Sequence, residues 1–471
     1  MMDATALILS RLQFAFTISF HIIFPSFTIG LAAWLATLEG LRLATGRQIY
    51  RVVFDFWLKI FGVAFGMGVV SGVVMGFQFG TNWSVLAKMS GPIQGPLLSY
   101  EAFTAFMLEA SFFGVLVFGR PRVPPWFYFF SASMVALGTT FSAFWIMANN
   151  SWMQVPTGYA MENGAFRATD WGAILFSPVL WVRFPHMLLA SYLTGAFCVA
   201  ASGAWYFLRG QFEAEARVML RMGLGLAAVL VPVQIIFGHF NGEYVVNHQP
   251  SKMAAIEARW QDEKPASEVL LAWPDVENKR NLYAITLPPP LGSLIDSDSL
   301  SAGEVGLTSI PEKDWPPVVI PFFTFRIMVG CGVAMLALAW LGAYEGSRGR
   351  LRQRRLLLWA IFFSFPLPFI ATLTGWFTAE VGRQPWVVYG VLRTADAVTP
   401  ALTGRSAAIS LIIFCLVYLL IFAFGIFYIY KLLRTGPLEH LTRPPTAAIP
   451  NRPLSLADRE PVPQTVSGER P

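Results

Sequence analysis

Several side chains able to do chemistry stand inside long apolar stretches of this sequence, His21, Glu101, Glu109, His186 and Arg326, while Glu380 closes another with Arg383 just beyond. An ionisable group in such a stretch costs roughly 2.5–3.5 kcal/mol on insertion scales, so each needs a task. Imidazole and thioether form an axial pair for a six-coordinate electron-transfer haem, and His186 with Met328 is a candidate pair if both stretches start from the same surface. Arg326, two residues before Met328, could hold a haem propionate through a bidentate contact. His21 is open to three readings: haem ligand, proton relay, or hydrogen bonder between helices. Glu101 and Glu109 are about 12 Å apart along a regular helix and roughly 80° apart around it. Two carboxyls stepping inward in this way resemble stations on a proton path.

The elements that must position these groups follow from composition. Apolar residues make up 55% of the chain and charged residues only 13%, about half the share of a soluble domain. The apolar residues come in blocks long enough to cross a membrane, at residues 14–38, 60–77, 97–118, 125–147, 184–208, 218–240, 318–344, 356–377 and 407–431. This predicts an all-α polytopic membrane protein of nine helices. The first block has no small-residue cleavage site before it and reads as a retained helix, not a removed signal.

The net charge of +6 does not point to nucleic acid, because the arginines sit in alternate short connections. One set holds Arg42, Arg47 and Arg51, then Arg120 and Arg122, then Arg209, Arg217 and Arg221, then Arg348 to Arg355, with Lys431 and Arg434 continuing it. The positive-inside rule therefore puts the N-terminus outside and the C-terminal tail in the cytoplasm. Four regions follow: helices one to six over 1–240, an outer loop over 241–317, helices seven to nine over 318–434, and a Pro-rich, disordered tail over 435–471. On this topology His186 and Met328 both lie near the outer surface. The three cysteines, Cys198, Cys331 and Cys415, all fall in apolar blocks and form no CxxC pair. Zinc ribbons, iron–sulfur clusters and covalently attached haem lack their ligands.

Five blocks carry a resemblance: SRLQFA at 10–15, FQFGTNW at 77–83, WMQ at 152–154 after Asn149 and Asn150, FRIM at 325–328, and GWFTAEVGRQPW at 375–386. Together they resemble subunit I of the cytochrome bd-type quinol oxidases over nearly all the membrane part. The resemblance implies a terminal oxidase of the bacterial cytoplasmic (inner) membrane that oxidises quinol outside and reduces O2 to water with protons drawn from the cytoplasm. It implies His186 and Met328 as ligands of a low-spin haem b. His21 and Glu380 would be the protein ligands of a high-spin haem b and of the oxygen-site haem, haem d or a further haem b. It places Glu101 beside the oxygen site, Glu109 on the proton route, Trp376 among the haems, and Arg11, Arg326 and Arg383 as haem supports near propionates. The implied partners are subunit II in a membrane heterodimer, with room for small single-helix accessory subunits, and ubiquinol or menaquinol.

The stretch KMAAIEARW at 252–260 resembles the family's quinol loop, with Lys252 and Glu257 at the motif positions and His248 as a further quinol-binding candidate. A carboxylate beside a cation or imidazole suits hydroquinone oxidation, which releases two protons. The short stretch between Glu257 and Arg326 resembles the short-loop, cyanide-insensitive branch, which leaves haem d or b open. An ion or solute transporter using buried acids and histidines is the competing class, since composition alone fits it. It leaves the His186–Met328 pairing and the loop motif unexplained. A quinol–cytochrome carrier would leave His21 and Glu380 idle, and five histidines cannot supply a haem–copper ligand set.

Overall fold

A computed structural model describes residues 4–263, 267–287 and 305–437. Nine helices among them are long and apolar enough to cross a membrane. They are α1 (Ala4–Thr45), α2 (Gln48–Thr81), α3 (Ser84–Phe118), α4 (Pro125–Gln154), α5 (Pro178–Arg209), α6 (Glu213–His248), α8 (Val319–Ser347), α9 (Arg355–Val381) and α10 (Gly404–Thr435). The short helix α7 (Pro250–Glu257) lies between α6 and α8. All nine apolar blocks fall on these helices, which overrun the blocks at most ends because a helix does not stop where the hydrocarbon layer does.

The two ends of the bundle differ. At one end the connections are short and arginine-bearing; Glu39, fully buried, is held there by Arg42 at 2.6 Å and Arg120 at 3.2 Å. Arg120 also bridges to Asp55 at 3.1 Å and lies over the Tyr128 ring. The other end carries a lid of two-stranded hairpins: β1 (Tyr159–Glu162) with β2 (Ala165–Ala168), β3 (Glu268–Asp275) with β4 (Arg280–Leu287), and β5 (Trp386–Val388) with β6 (Leu392–Arg393). α7 belongs to this lid.

Two local features depart from the sequence reading. The loop expected from residue 241 begins later, because α6 continues to His248. Its polar last two turns are held by Asn247 donating to Glu243 O at 3.0 Å and by His248 stacking on Tyr244 one turn back. Within α3, residues Glu101–Phe106 form a π-helical turn, a local widening that recurs at functional sites. The described parts of 241–317 hold α7 and the β3–β4 hairpin, and the tail from residue 438 lies outside the described residues.

Inside the bundle, α1 and α5 cross at Gly30 and Gly195. A Cβ at Gly195 would stand 2.9 Å from the Gly30 carbonyl carbon, so only glycine permits this approach. α5, α6, α8 and α9 pack around Leu193, Phe197, Ala227, Val231, Met335 and Ala339, with Leu367 and Ala371 against them. That layer fixes the register of the site above it.

Candidate functional site

His186 lies seven residues before Leu193 on α5, and Met328 lies seven before Met335 on α8. Gly238 lies seven after Val231 on α6, and Gly375 four after Ala371 on α9. These steps all run toward the lid end, about 10 Å for the seven-residue ones and about 6 Å for the other. The four positions therefore gather in a zone one to two turns above the packed layer. A Cβ at Gly238 would touch His186 Cε1 at 3.4 Å, and one at Gly375 would stand 2.8 Å from Met328 Sδ. His186 Nε2 contacts the Gln234 amide at 3.3 Å, while its Nδ1 is buried with no hydrogen-bond partner among the described residues. His21, on α1, has the same kind of neighbour: Gly72 of α2, where a Cβ would lie 3.0 Å from its ring. Its Nδ1 hydrogen-bonds to Ser71 Oγ at 2.9 Å.

Glu380, at the lid end of α9, sits in a dense polar network. Its Oε1 accepts from Asn150 at 2.9 Å and from Gln154 at 3.0 Å, and its Oε2 accepts from Arg383. Arg183 donates to Asn150 Oδ1 at 2.6 Å, and Lys252 donates to Gln154 Oε1 at 2.6 Å. Gln249 donates to the backbone oxygen of Gln154 at 2.7 Å. Arg183, Lys252 and Arg383 thus surround the single carboxylate of Glu380. Nε and Nη1 of Arg383 are buried without acceptors among the described residues. Burial, reinforced by Arg183, pushes the Lys252 amine well below the usual lysine range, against the pull of Glu380.

The proposed quinol residues separate. Lys252 is buried and faces Gln154, Glu257 is buried and paired with Arg259, and His248 is exposed on the last turn of α6. Arg326 does not offer its donors to an open space. They go to the backbone oxygens of Ile256 at 2.8 Å, Leu270 and Phe322 at 2.9 Å, and Val269, so this residue clamps the lid. Arg11 is exposed on α1 and Trp376 is half-buried on α9, against Phe377.

Glu101 accepts from Ser142 Oγ at 2.7 Å, and Glu109 packs at Gly138, where a Cβ would meet its Cγ at 2.6 Å. Gly138 and Ser142 are one turn apart on α4. The π turn thus brings the two acids onto one stripe, closer to a shared face than a regular helix would give.

The sequence reading assigned no role to Arg183, Asn150, Gln154 or Gln249. Arg183 carried a usable signal, an ionisable group at the edge of the apolar stretch and three residues before His186. The amides carried none outside the motif blocks.

The profile of the cytochrome bd terminal oxidase subunit I family matches residues 9–437. The chain belongs to that family. It is similar to the cytochrome bd ubiquinol oxidase subunit 1 of Bacillus subtilis, 34% identical over 92% of this chain and 94% of that one. It is also similar to the cytochrome bd-II ubiquinol oxidase subunit 1 of Escherichia coli, 33% identical over 93% of this chain and 98% of that one. The solved bd oxidase of Geobacillus thermodenitrificans superposes with a TM-score of 0.83 at 27% identity, covering 93% of this chain and all of the matched one. As a cytochrome bd subunit I, the chain is a multi-pass membrane component of a haem-dependent terminal oxidase. The described residues fit haem: His186 carries a buried ring nitrogen without a hydrogen-bond partner among them, and the unpaired Arg383 donors suit an anionic edge.

Proposed function

We propose that this chain oxidises ubiquinol or menaquinol at the lid end and uses the electrons to reduce O2 to water, taking protons from the opposite, arginine-rich end. The lid end faces the periplasm in this reading, and the reaction generates proton motive force across the inner membrane. The observation that carries it is the common zone of His186, Met328, Gly238 and Gly375 above one packed layer, beside the Glu380–Arg383–Lys252 network. When bound, the haems relay single electrons from quinol and bind and reduce dioxygen.

His186 and Met328 hold the low-spin haem b. His21 and Glu380 hold the high-spin haem b and the oxygen-site haem, which is haem d or a further haem b. Arg383, with donors to spare, holds propionate oxygens, and Arg11 supports the haem edge from α1. Trp376 would stand among the haems. Glu257, fixed beside Arg259, takes a proton from quinol, and Lys252 and His248 orient the ring. Glu109 and Glu101 move protons along the α3–α4 stripe, Glu101 beside the oxygen site. Relatives named as subunit 1 support a partner subunit II.

The deciding experiment is a reduced-minus-oxidised spectrum of the purified oxidase and of Met328→Leu. The wild type should contain three haems, and the variant should lose the low-spin α-band while keeping the other two. Colourless protein, or an unchanged α-band in the variant, would remove this reading in favour of an ion or solute transporter or a different ligand.

A further inference from the structure

Arg11 apart, two motif blocks remain without a task, SRLQFA at 10–15 and FQFGTNW at 77–83, and the structure joins them. Thr81, exposed at the lid end of α2, donates to Asn82 Oδ1 at 2.8 Å, and Asn82 Nδ2 donates to Ser10 Oγ at 3.2 Å. One turn along α1, Gln13 Nε2 donates to Ser410 Oγ of α10 at 3.0 Å. One turn further, Gln78 Nε2 donates to Thr17 Oγ1 at 2.9 Å. His21 stands one more turn along α1, bonded to Ser71 Oγ. Ser10, Gln13, Thr17 and His21 therefore form a single stripe at helical spacing, running from the lid surface inward for about 16 Å.

This seam is buried and incomplete. Gln13 is 0% exposed and Gln78 1%, yet Oε1 of each has no hydrogen-bond partner among the described residues. Turning either amide over would leave its nitrogen unpaired instead, so the lack does not depend on how the amides are assigned. Two unpaired amide ends about a turn apart, in a seam lined by hydroxyls, are the setting in which buried water is held, since such water needs about two to four polar partners. Between Thr81 and His21 the groups paired along the seam are hydroxyls and amides, which suits a neutral occupant.

We infer that the α1–α2–α10 seam holds a file of water molecules connecting His21 to the aqueous surface at Thr81, and that it is the exit for water formed at the His21 site. The water file rests on the seam's geometry; its role as product exit rests on the proposal above and on His21, not Glu380, being the ligand of the oxygen-site haem.

The test uses the complete two-subunit oxidase with its haems, at a resolution that shows ordered water. Water within hydrogen-bonding distance of Gln13 Oε1 and Gln78 Oε1 is expected. Apolar atoms or a partner-subunit donor against both oxygens would overturn the inference. The double variant Gln13→Leu with Gln78→Leu should keep full haem content and the wild-type spectrum, with oxygen turnover lowered threefold or more. Wild-type turnover in that variant would also overturn it. If the variant does not assemble, the water positions in the wild type still decide. Full haem content in His21→Gln would remove the haem-ligand reading alone, because the waters are observed independently of it.

Discussion

Lys252 of the lid helix α7 and Glu380 of α9 are joined through one side chain: Gln154 accepts from Lys252 at 2.6 Å and donates to Glu380 at 3.0 Å. The amide fixes the lid helix against the end of α9 and spaces a cation from a carboxylate. Gln154→Leu keeps the volume but leaves the buried Lys252 without this acceptor, a loss of about 1–3 kcal/mol. The lid should shift, and the apparent affinity for quinol should fall about tenfold, the equivalent of about 1.4 kcal/mol. Steady-state kinetics with quinol check this, and an unchanged KM would separate the lid from the Glu380 network.

Arg326 ties α7 and β3 to α8 two residues from Met328, through the backbone oxygens of Ile256, Val269 and Leu270, while Phe322 O one turn back on α8 also accepts from it. Hydrogen bonds to charged groups contribute about 1.5–3 kcal/mol each, net of the bonds to water that they replace. Arg326→Gln should therefore release the lid without removing a haem ligand. Hydrogen exchange across residues 256–271 is expected to rise at least tenfold, and quinol oxidation to drop, while the low-spin α-band persists. Loss of that band with unchanged exchange would restore Arg326 to a propionate role.

Gly375 allows Met328 its place, since a methyl group there would stand 2.8 Å from the sulfur. Gly375→Ala should displace the thioether by a few tenths of an ångström and shift or broaden the low-spin α-band. Gly66→Ala on α2, where nothing lies within 4 Å, is the matched control and should leave the spectrum alone. Identical spectra for both variants would place the sulfur away from haem.

The nine helices were legible because each ionisable group and each apolar block answers to one strong constraint, the cost of polarity in hydrocarbon. That constraint weakens at the lid. The polar end of α6 read as loop because its composition changes at residue 241, whereas i,i+4 contacts such as Tyr244–His248 carry the helix on. The hairpin β3–β4 alternates too imperfectly to announce itself, with register shifts between Val269 and Leu271 and between Leu271 and Trp273. The lid contacts of Arg326 were not legible, because a guanidinium that grips backbone oxygens leaves no mark on its partners' sequence. Gln154 is similar: an amide inside a motif block becomes meaningful only when Lys252 and Glu380 arrive from remote segments.

The proton route gives the last prediction. Glu109 is only 6% exposed, and its Oε1 has no hydrogen-bond partner among the described residues. Gly138 of α4 leaves the space it occupies, and Ser142, one turn nearer the lid, holds Glu101. The π turn between the two acids turns both toward α4, so a proton leaving Glu109 has Glu101 and the Ser142 hydroxyl ahead of it on the same stripe. Glu109→Gln keeps the size and the hydrogen-bonding capacity but cannot take up and release a proton. If this stripe supplies oxygen reduction, the variant should retain full haem content and normal reduction of the haems by quinol. Steady-state oxygen uptake should fall by one to two orders of magnitude, about 1.4–2.7 kcal/mol in barrier. Glu101→Gln should do at least as much harm and should also disturb the oxygen-site spectrum, because that carboxyl is the nearer of the two to the lid end where the proposed haem ligands gather. Oxygen uptake and haem quantification on the same preparation make the comparison. Wild-type uptake in Glu109→Gln at full haem loading would mean that protons arrive by another path, and that Glu109 serves only to pack α3 against Gly138.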